Sequence, residues 1–150
     1  MCGIAGFVDY KEDVSKSTEV LGAMCDKLSH RGPDSSGIWL DHTAALAHRR
    51  LAVIDIENGK QPMKIIKDGI TYIIVYNGEL YNTEDIRKEL LKKGYSFFGH
   101  SDTEVLLSAY ICWGEKAVEY FNGIYAFAIW NTATRQLFVA RDRVGVKTFF

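Results

Sequence analysis

The sequence begins Met-Cys-Gly-Ile-Ala-Gly-Phe, so a cysteine stands directly behind the initiator methionine. Methionine aminopeptidases act when the second side chain is small, and the mature chain would then begin with Cys2. Its α-amine would titrate close to neutral pH and could serve as a general base. A terminal amine can activate its own side-chain nucleophile, so that the thiolate attacks a carbonyl and a thioester forms and is hydrolysed. The alternative is that Cys2 is a small buried residue at the start of a strand.

The stretch VYNGELYN (75–82) carries a candidate oxyanion hole, which acyl transfer also needs. The Asn77 amide and the Gly78 N–H could converge on one point, and glycine permits close approach of a substrate. Taken alone, Asn-Gly is more typical of a tight hairpin turn. Glu79 follows the pair and lies between apolar neighbours.

Two further charged residues could bind a polar substrate. Arg50 lies in HRRLAVID (48–55), and its guanidinium could hold a carboxylate in bidentate fashion or point into solvent from a strand. Asp102 falls in the first turn of a predicted helix, where it complements the helix dipole and could also bind an ammonium group.

Secondary-structure patterns predict the elements that position these residues. Asp68-Gly69 between apolar runs indicates a hairpin, and the spacing from Ser101 to Glu104 indicates a helix start. Val20 and Leu21 belong to the apolar positions of a predicted first helix. The predicted strands are 3–8, 36–40, 43–55, 63–67, 70–78, 123–131 and 135–143, and the predicted helices are 17–29, 83–93, 101–113 and 115–121. This mixed order predicts an α+β fold with antiparallel sheets covered by helices.

Composition excludes several classes of function. The 150 residues suit one domain, with 47% hydrophobic and 25% charged residues. A net charge of -1 gives no electrostatic footprint for nucleic acid or for an anionic membrane. We expect neither a signal peptide nor a membrane span. Three cysteines far apart favour a reducing, cytoplasmic location, and no spacing of cysteine or histidine predicts a metal site.

Several motifs occur together and in order: MCGIAGF, RGPD, RRLAVID, QPM, YNGELYN, SDTEV and ARDRVGVK. Together they resemble the glutaminase domain of class II glutamine amidotransferases, specifically the amino-terminal part of the asparagine synthetase family. The resemblance runs from residue 2 to about residue 147. It implies an N-terminal-nucleophile hydrolase fold, a four-layer αββα sandwich, and hydrolysis of glutamine to glutamate and ammonia. It also implies that Cys2 is the nucleophile and that Asn77 and Gly78 form the oxyanion hole.

The same resemblance implies how L-glutamine would be bound. Arg50 would hold the α-carboxylate of glutamine, while Glu79 and Asp102 would contact its polar end, the ammonium group. Backbone groups around Leu51 and Val53 would line the pocket.

Members of that family carry a second domain that uses ATP and Mg²⁺ to activate aspartate. Neither its SGGxDS-type loop nor a P-loop is present in this sequence. We therefore expect residues 1–150 to be a glutaminase domain, incomplete at the C-terminus, whose partner is the missing synthetase domain and which needs no cofactor itself. The sequence does not decide whether the domain forms a homodimer. Two alternatives also stay open: an amidotransferase with a different acceptor, and a non-catalytic glutamine-binding or assembly module if Met1 is retained.

Overall fold

The computed structural model describes residues 2–51 and 59–149. Within them the strands are β1 Gly3–Val8, β2 Ser35–Leu40, β3 Ala44–Arg50, β4 Met63–Lys67, β5 Ile70–Leu80, β6 Gly123–Asn131 and β7 Gln136–Arg141. The helices are α1 Thr18–Lys27, α2 Thr83–Lys92 and α3 Asp102–Trp113, with short 3-10 helices at Val14–Lys16 and Gly114–Glu119. Among these residues, no helix is long and apolar enough to cross a membrane.

The strands form two antiparallel sheets, in the orders β1-β3-β2 and β4-β5-β6-β7. The hairpin between β4 and β5 turns at Asp68 and Gly69, whose φ angles of 52° and 77° suit a two-residue turn. The predicted α+β class with antiparallel sheets is confirmed. The predicted strand 43–55 is observed as far as Arg50, and its last four residues lie outside the described part of the chain.

Three apolar cores separate four layers of structure in the described residues. Helix α1 packs on the three-stranded sheet, that sheet faces the four-stranded sheet, and α2 and α3 cover the outer face of the latter. Helix α1 turns Leu21 and Cys25 into the first of these cores. Val20 is 57% exposed, so its expected place on the apolar face was wrong. The helix is rotated so that the face with Leu21 and Cys25, four residues apart, packs on the sheet, while the adjacent face with Val20 is exposed.

Strand β5 contributes side chains to both faces of the four-stranded sheet. Ile73 and Val75 pack between the sheets, whereas Ile74 and Tyr76 pack against α3. Because side chains alternate along a strand, Asn77 points towards the three-stranded sheet.

The Asn-Gly pair does not form a turn. Asn77 pairs with Ala126 and Gly78 pairs with Tyr125, and the ladder continues beyond them to Leu80. The hairpin-turn interpretation of this pair was therefore wrong, and the strand presents both residues in extended backbone.

Gly78 stands where β5 and β6 approach too closely for a side chain. A Cβ atom at this position would lie 2.2 Å from the Ile124 carbonyl oxygen, a backbone atom that cannot rotate away. We expect Gly78→Ala to lower the free energy of unfolding by about 2–3 kcal/mol, measured by urea denaturation. The matched control is Gly22→Ala in α1, where a Cβ meets nothing within 4 Å. This control should raise stability by about 0.5–1 kcal/mol, and equal effects of the two variants would contradict the packing argument.

A buried histidine joins the two sheets next to this point. His48 of β3 is 1% exposed, and its Nε2 lies 3.1 Å from the Tyr76 carbonyl oxygen on β5. A carbonyl only accepts, so Nε2 carries the proton of a neutral imidazole. The net pKa of His48 is lowered to about 4, chiefly by burial. The Tyr76 hydrogen bond opposes this lowering with a smaller effect, and the nearby Arg50 charge adds to it.

This histidine should make the fold sensitive to acid. Unfolded His48 takes up a proton below pH 6.5, whereas the folded protein resists protonation until about pH 4. The contribution of His48 to the free energy of unfolding is therefore complete above pH 6.5. It falls by about 3 kcal/mol as the pH is lowered from 6.5 to about 4. Urea denaturation between pH 7.5 and pH 4 should show that His48→Gln abolishes this part of the loss. The exposed His42→Gln control should retain it, and equal slopes for both variants would refute the assignment.

Candidate active site

A cavity of about 300 Å³ opens where β1, β3, β5 and α3 meet. Seven of the eight residues singled out from the sequence line it: Cys2, Arg50, Leu51, Asn77, Gly78, Glu79 and Asp102. The eighth, Val53, lies outside the described residues. Residues 100 positions apart in the chain thus share one small volume.

Cys2 reaches the cavity because it immediately precedes β1. Antiparallel pairing places Gly3 opposite Arg49, which brings Cys2 beside the end of β3. The Leu51 N–H donates to Cys2 Sγ at 3.4 Å, and Sγ lies 3.7 Å from the Leu51 carbonyl oxygen. Arg31 Nε donates to the Cys2 carbonyl oxygen at 3.3 Å. The half-buried sulfur is therefore held in place by backbone and faces the cavity.

Asn77 and Gly78 form the opposite wall. The Asn77 side chain is buried and points from β5 towards the sheet that carries Cys2. The close contact of Gly78 with β6 holds the backbone of this wall. An amide side chain and a glycine backbone thus line the same cavity as a thiol, which is the residue set that acyl transfer uses.

Arg50 and Asp102 place opposite charges around the cavity. Arg50 is 7% exposed, so the alternative of a solvated strand arginine was wrong. Asp102 begins α3, next to Ser101, whose hydroxyl caps the helix by accepting from the Glu104 N–H at 3.2 Å. Glu79 is exposed on β5 and lines the same opening.

Asp102 does more than complement the helix dipole. Its Oδ2 accepts a hydrogen bond from the Tyr76 hydroxyl at 2.7 Å and another from the Leu80 N–H at 3.3 Å. Burial raises the pKa of Asp102, and these hydrogen bonds oppose the rise. The site therefore holds a half-buried carboxylate with two fixed donors on one of its oxygens.

Several residues of the cavity were not singled out from the sequence. Tyr76, Gln61, Thr103 and Lys147 line it as well. Two of them lay within motifs noted only for the resemblance: Gln61 in QPM and Lys147 in ARDRVGVK. Tyr76 lies in the predicted strand 70–78, and no local pattern distinguishes its hydroxyl from that of a core tyrosine.

Comparison with known proteins assigns this arrangement to a class. Residues 1–150 match the family model described as glutamine amidotransferase domain. The chain is 54% identical over 150 residues to asparagine synthetase [glutamine-hydrolyzing] 3 of Bacillus subtilis strain 168. It is 40% identical over 153 residues to asparagine synthetase [glutamine-hydrolyzing] 1 of the same organism. Each alignment covers 100% of this chain and 24% of the relative, so the chain spans about a quarter of the length of these curated relatives.

A solved structure described as the allosteric regulatory enzyme of purine biosynthesis is similar in fold. It aligns with a TM-score of 0.60 and 26% identity, covering 72% of this chain and 25% of its own. The antiparallel α+β architecture is thus shared with a solved enzyme. The chain belongs to the class II glutamine amidotransferase domain family, and the relatives named above are asparagine synthetases.

Proposed function

We propose that this domain hydrolyses L-glutamine to glutamate and ammonia, with Cys2 as an N-terminal nucleophile. The observation that carries the proposal is that Cys2 Sγ shares one cavity with Asn77 and Gly78 and with the two charged residues Arg50 and Asp102. Glutamine presents a carboxylate and an ammonium group on its α-carbon and an amide at the end of a two-methylene side chain. The cavity offers a cation, an anion and a nucleophile to match them.

Substrate binding places the amide group next to the thiol. Arg50 pairs with the α-carboxylate of glutamine, and Asp102 accepts from its α-ammonium group, with Glu79 at the same end. Backbone groups of Leu51 contact the substrate beside the nucleophile. Holding the two charged groups of the α-carbon anchors one end of glutamine and directs its side-chain amide to the thiol, which supplies much of the catalytic advantage.

The chemistry proceeds through a thioester. The α-amine of Cys2 takes the thiol proton, and the thiolate attacks the side-chain amide carbon. Negative charge develops on the amide oxygen, where the Asn77 amide and the Gly78 N–H donate hydrogen bonds. The carbon–nitrogen bond then breaks, and the nitrogen leaves as ammonia with the proton held by the α-amine. Water attacks the thioester, gives a proton to the α-amine, and releases glutamate as the thiol is restored.

We place this reaction in a longer cytoplasmic protein of the asparagine synthetase kind. The support is the identity to two asparagine synthetases, each about four times the length of the matched region. In that setting residues 1–150 supply ammonia to a synthetase domain that uses ATP and Mg²⁺ to activate aspartate. The facing antiparallel sheets between helices support an N-terminal-nucleophile hydrolase fold.

The experiment is a glutaminase assay on the protein freed of Met1, with glutamate and ammonia both quantified. Equal amounts of the two products are expected. The value of kcat/KM should rise with deprotonation of one group in the free enzyme, because the α-amine must be neutral to act as a base. Folded, Met-free protein that releases neither product would refute the proposal. A kcat/KM that stays flat between pH 5 and pH 9 would exclude the amine as the base.

A further inference from the structure

Tyr76 stands directly behind the carboxylate that faces the cavity. Its side chain is 2% exposed and packs in the core between β5 and α3. Its hydroxyl donates to Asp102 Oδ2 at 2.7 Å, a normal O–H···O hydrogen-bond distance. The ring therefore fills the core while the hydroxyl reaches the site.

Donation can run in one direction only. Burial raises the pKa of Tyr76 well above its ordinary value, and the neighbouring Asp102 charge raises it further. The phenol thus stays protonated at physiological pH, and an ionised carboxylate has no proton to return. The Tyr76 hydroxyl therefore donates to the Asp102 carboxylate and fixes its orientation.

Gln61 fixes the same pair from the other side. Its Oε1 accepts from the Tyr76 N–H at 2.6 Å, and its Nε2 donates to Thr103 Oγ1 at 3.3 Å. One side chain therefore joins the backbone of Tyr76 to the residue that follows Asp102. The β4 ladder ends at Met63 opposite Ile74, so the Gln61 side chain takes over where strand pairing stops.

The carboxylate can still hold a ligand. The Tyr76 and Leu80 hydrogen bonds both end on Oδ2, so neither of them engages Oδ1, and Oδ1 is the oxygen that we expect to accept from an ammonium group. Rotation about the Asp102 side-chain bonds would break both of those hydrogen bonds. The donors therefore restrict the direction in which the charge faces the cavity.

We propose that Tyr76 is a positioning residue that orients Asp102 towards a free α-ammonium group, and so makes the site selective for glutamine over analogues that lack this group. The inference rests on the proposed function for the identity of the ligand. It assigns the selectivity to the Tyr76 hydroxyl, acting through the Asp102 carboxylate to which it donates.

The test separates binding from chemistry by using the Cys2→Ala background. Dissociation constants are measured by calorimetry for L-glutamine and for glutaramate, the analogue without the α-amino group. Tyr76→Phe keeps the ring in the core and removes only the hydroxyl. The matched control is Tyr72→Phe, which makes the same deletion four residues earlier on the same face of β5. Thermal unfolding of each variant reports whether packing is intact.

We expect Tyr76→Phe to weaken glutamine binding by about tenfold, as for loss of a hydrogen bond to a charged group, and to leave glutaramate binding unchanged. Tyr72→Phe should change neither constant. Adding Asp102→Asn to Tyr76→Phe should cause no loss beyond that of Asp102→Asn alone, because the hydroxyl acts through the carboxylate.

Three results would overturn the proposal: unchanged glutamine affinity in Tyr76→Phe, equal weakening of both ligands, or no binding of glutamine in the Cys2→Ala background. In each case, glutamine hydrolysis by the protein with Cys2 intact is assayed in parallel. If the protein with Cys2 intact hydrolyses glutamine, the proposed function is supported and only the proposed role of Tyr76 is wrong.

Discussion

Replacing Cys2 by alanine is expected to lower kcat for glutamine hydrolysis by at least about a thousandfold. The alanine side chain cannot form the thioester, and no other described thiol lines the cavity among residues 2–51 and 59–149. The α-amine at position 2 survives the change, so the loss isolates the thiol from the base. Release of ammonia from glutamine, followed with a coupled assay, measures the effect.

The control for this change is Cys112→Ala. Cys112 is a half-buried cysteine of α3 in the core on the outer face of the four-stranded sheet, and it does not line the cavity. Its replacement should leave kcat within about twofold of the unmodified protein. If Cys2→Ala kept a tenth or more of the activity, the nucleophile would have to be another group.

Replacing Asn77 by alanine should lower kcat by about a hundredfold to a thousandfold, with a much smaller change in KM. The amide is expected to stabilise charge that develops only in the transition state, so its loss should spare ground-state binding. Initial-rate kinetics with glutamine separate the two constants. Since Asn77 is buried in a continuous strand, circular dichroism and thermal unfolding should accompany the assay.

Asn131→Ala provides the matched control for Asn77. Asn131 ends the neighbouring strand β6 opposite Tyr72, at the end of the sheet away from the cavity. This variant should keep kcat and KM close to those of the unmodified protein. A rise in KM at constant kcat in Asn77→Ala would contradict the role in the oxyanion hole and would indicate substrate binding instead.

Much of the fold follows from local patterns in the sequence. The Asp68-Gly69 turn and the Ser101 cap mark element boundaries through chemistry that acts within four residues. Patterns of this range do not report which sheet a strand joins. The rotation of α1 that exposes Val20 was missed for the same reason, because tertiary packing on the sheet selects the buried stripe.

Some residues of the site could likewise be predicted from the sequence, whereas others are recognised only from contacts in the structure. Cys2, Asn77 and Arg50 could be singled out because the residue type and its position in the sequence indicate a chemical role. The choice between their functional and structural interpretations depended on contacts across the chain: Asn-Gly continued as a strand, and Arg50 was buried. Tyr76 and Gln61 could not be found from the sequence, since their roles arise from hydrogen bonds to Asp102 and Thr103, residues 26 and 42 positions away.

The most direct test of the central claim is the intact mass of the protein before and after reaction with the glutamine analogue diazo-oxo-norleucine. We predict a mass without Met1 and a single adduct on Cys2, formed as the thiolate displaces dinitrogen from the protonated diazoketone. Excess L-glutamine should slow the labelling, and Cys2→Ala should abolish it. A folded protein that lacks Met1 and gains no adduct, or gains one at another residue, would contradict the assignment of Cys2 as the nucleophile.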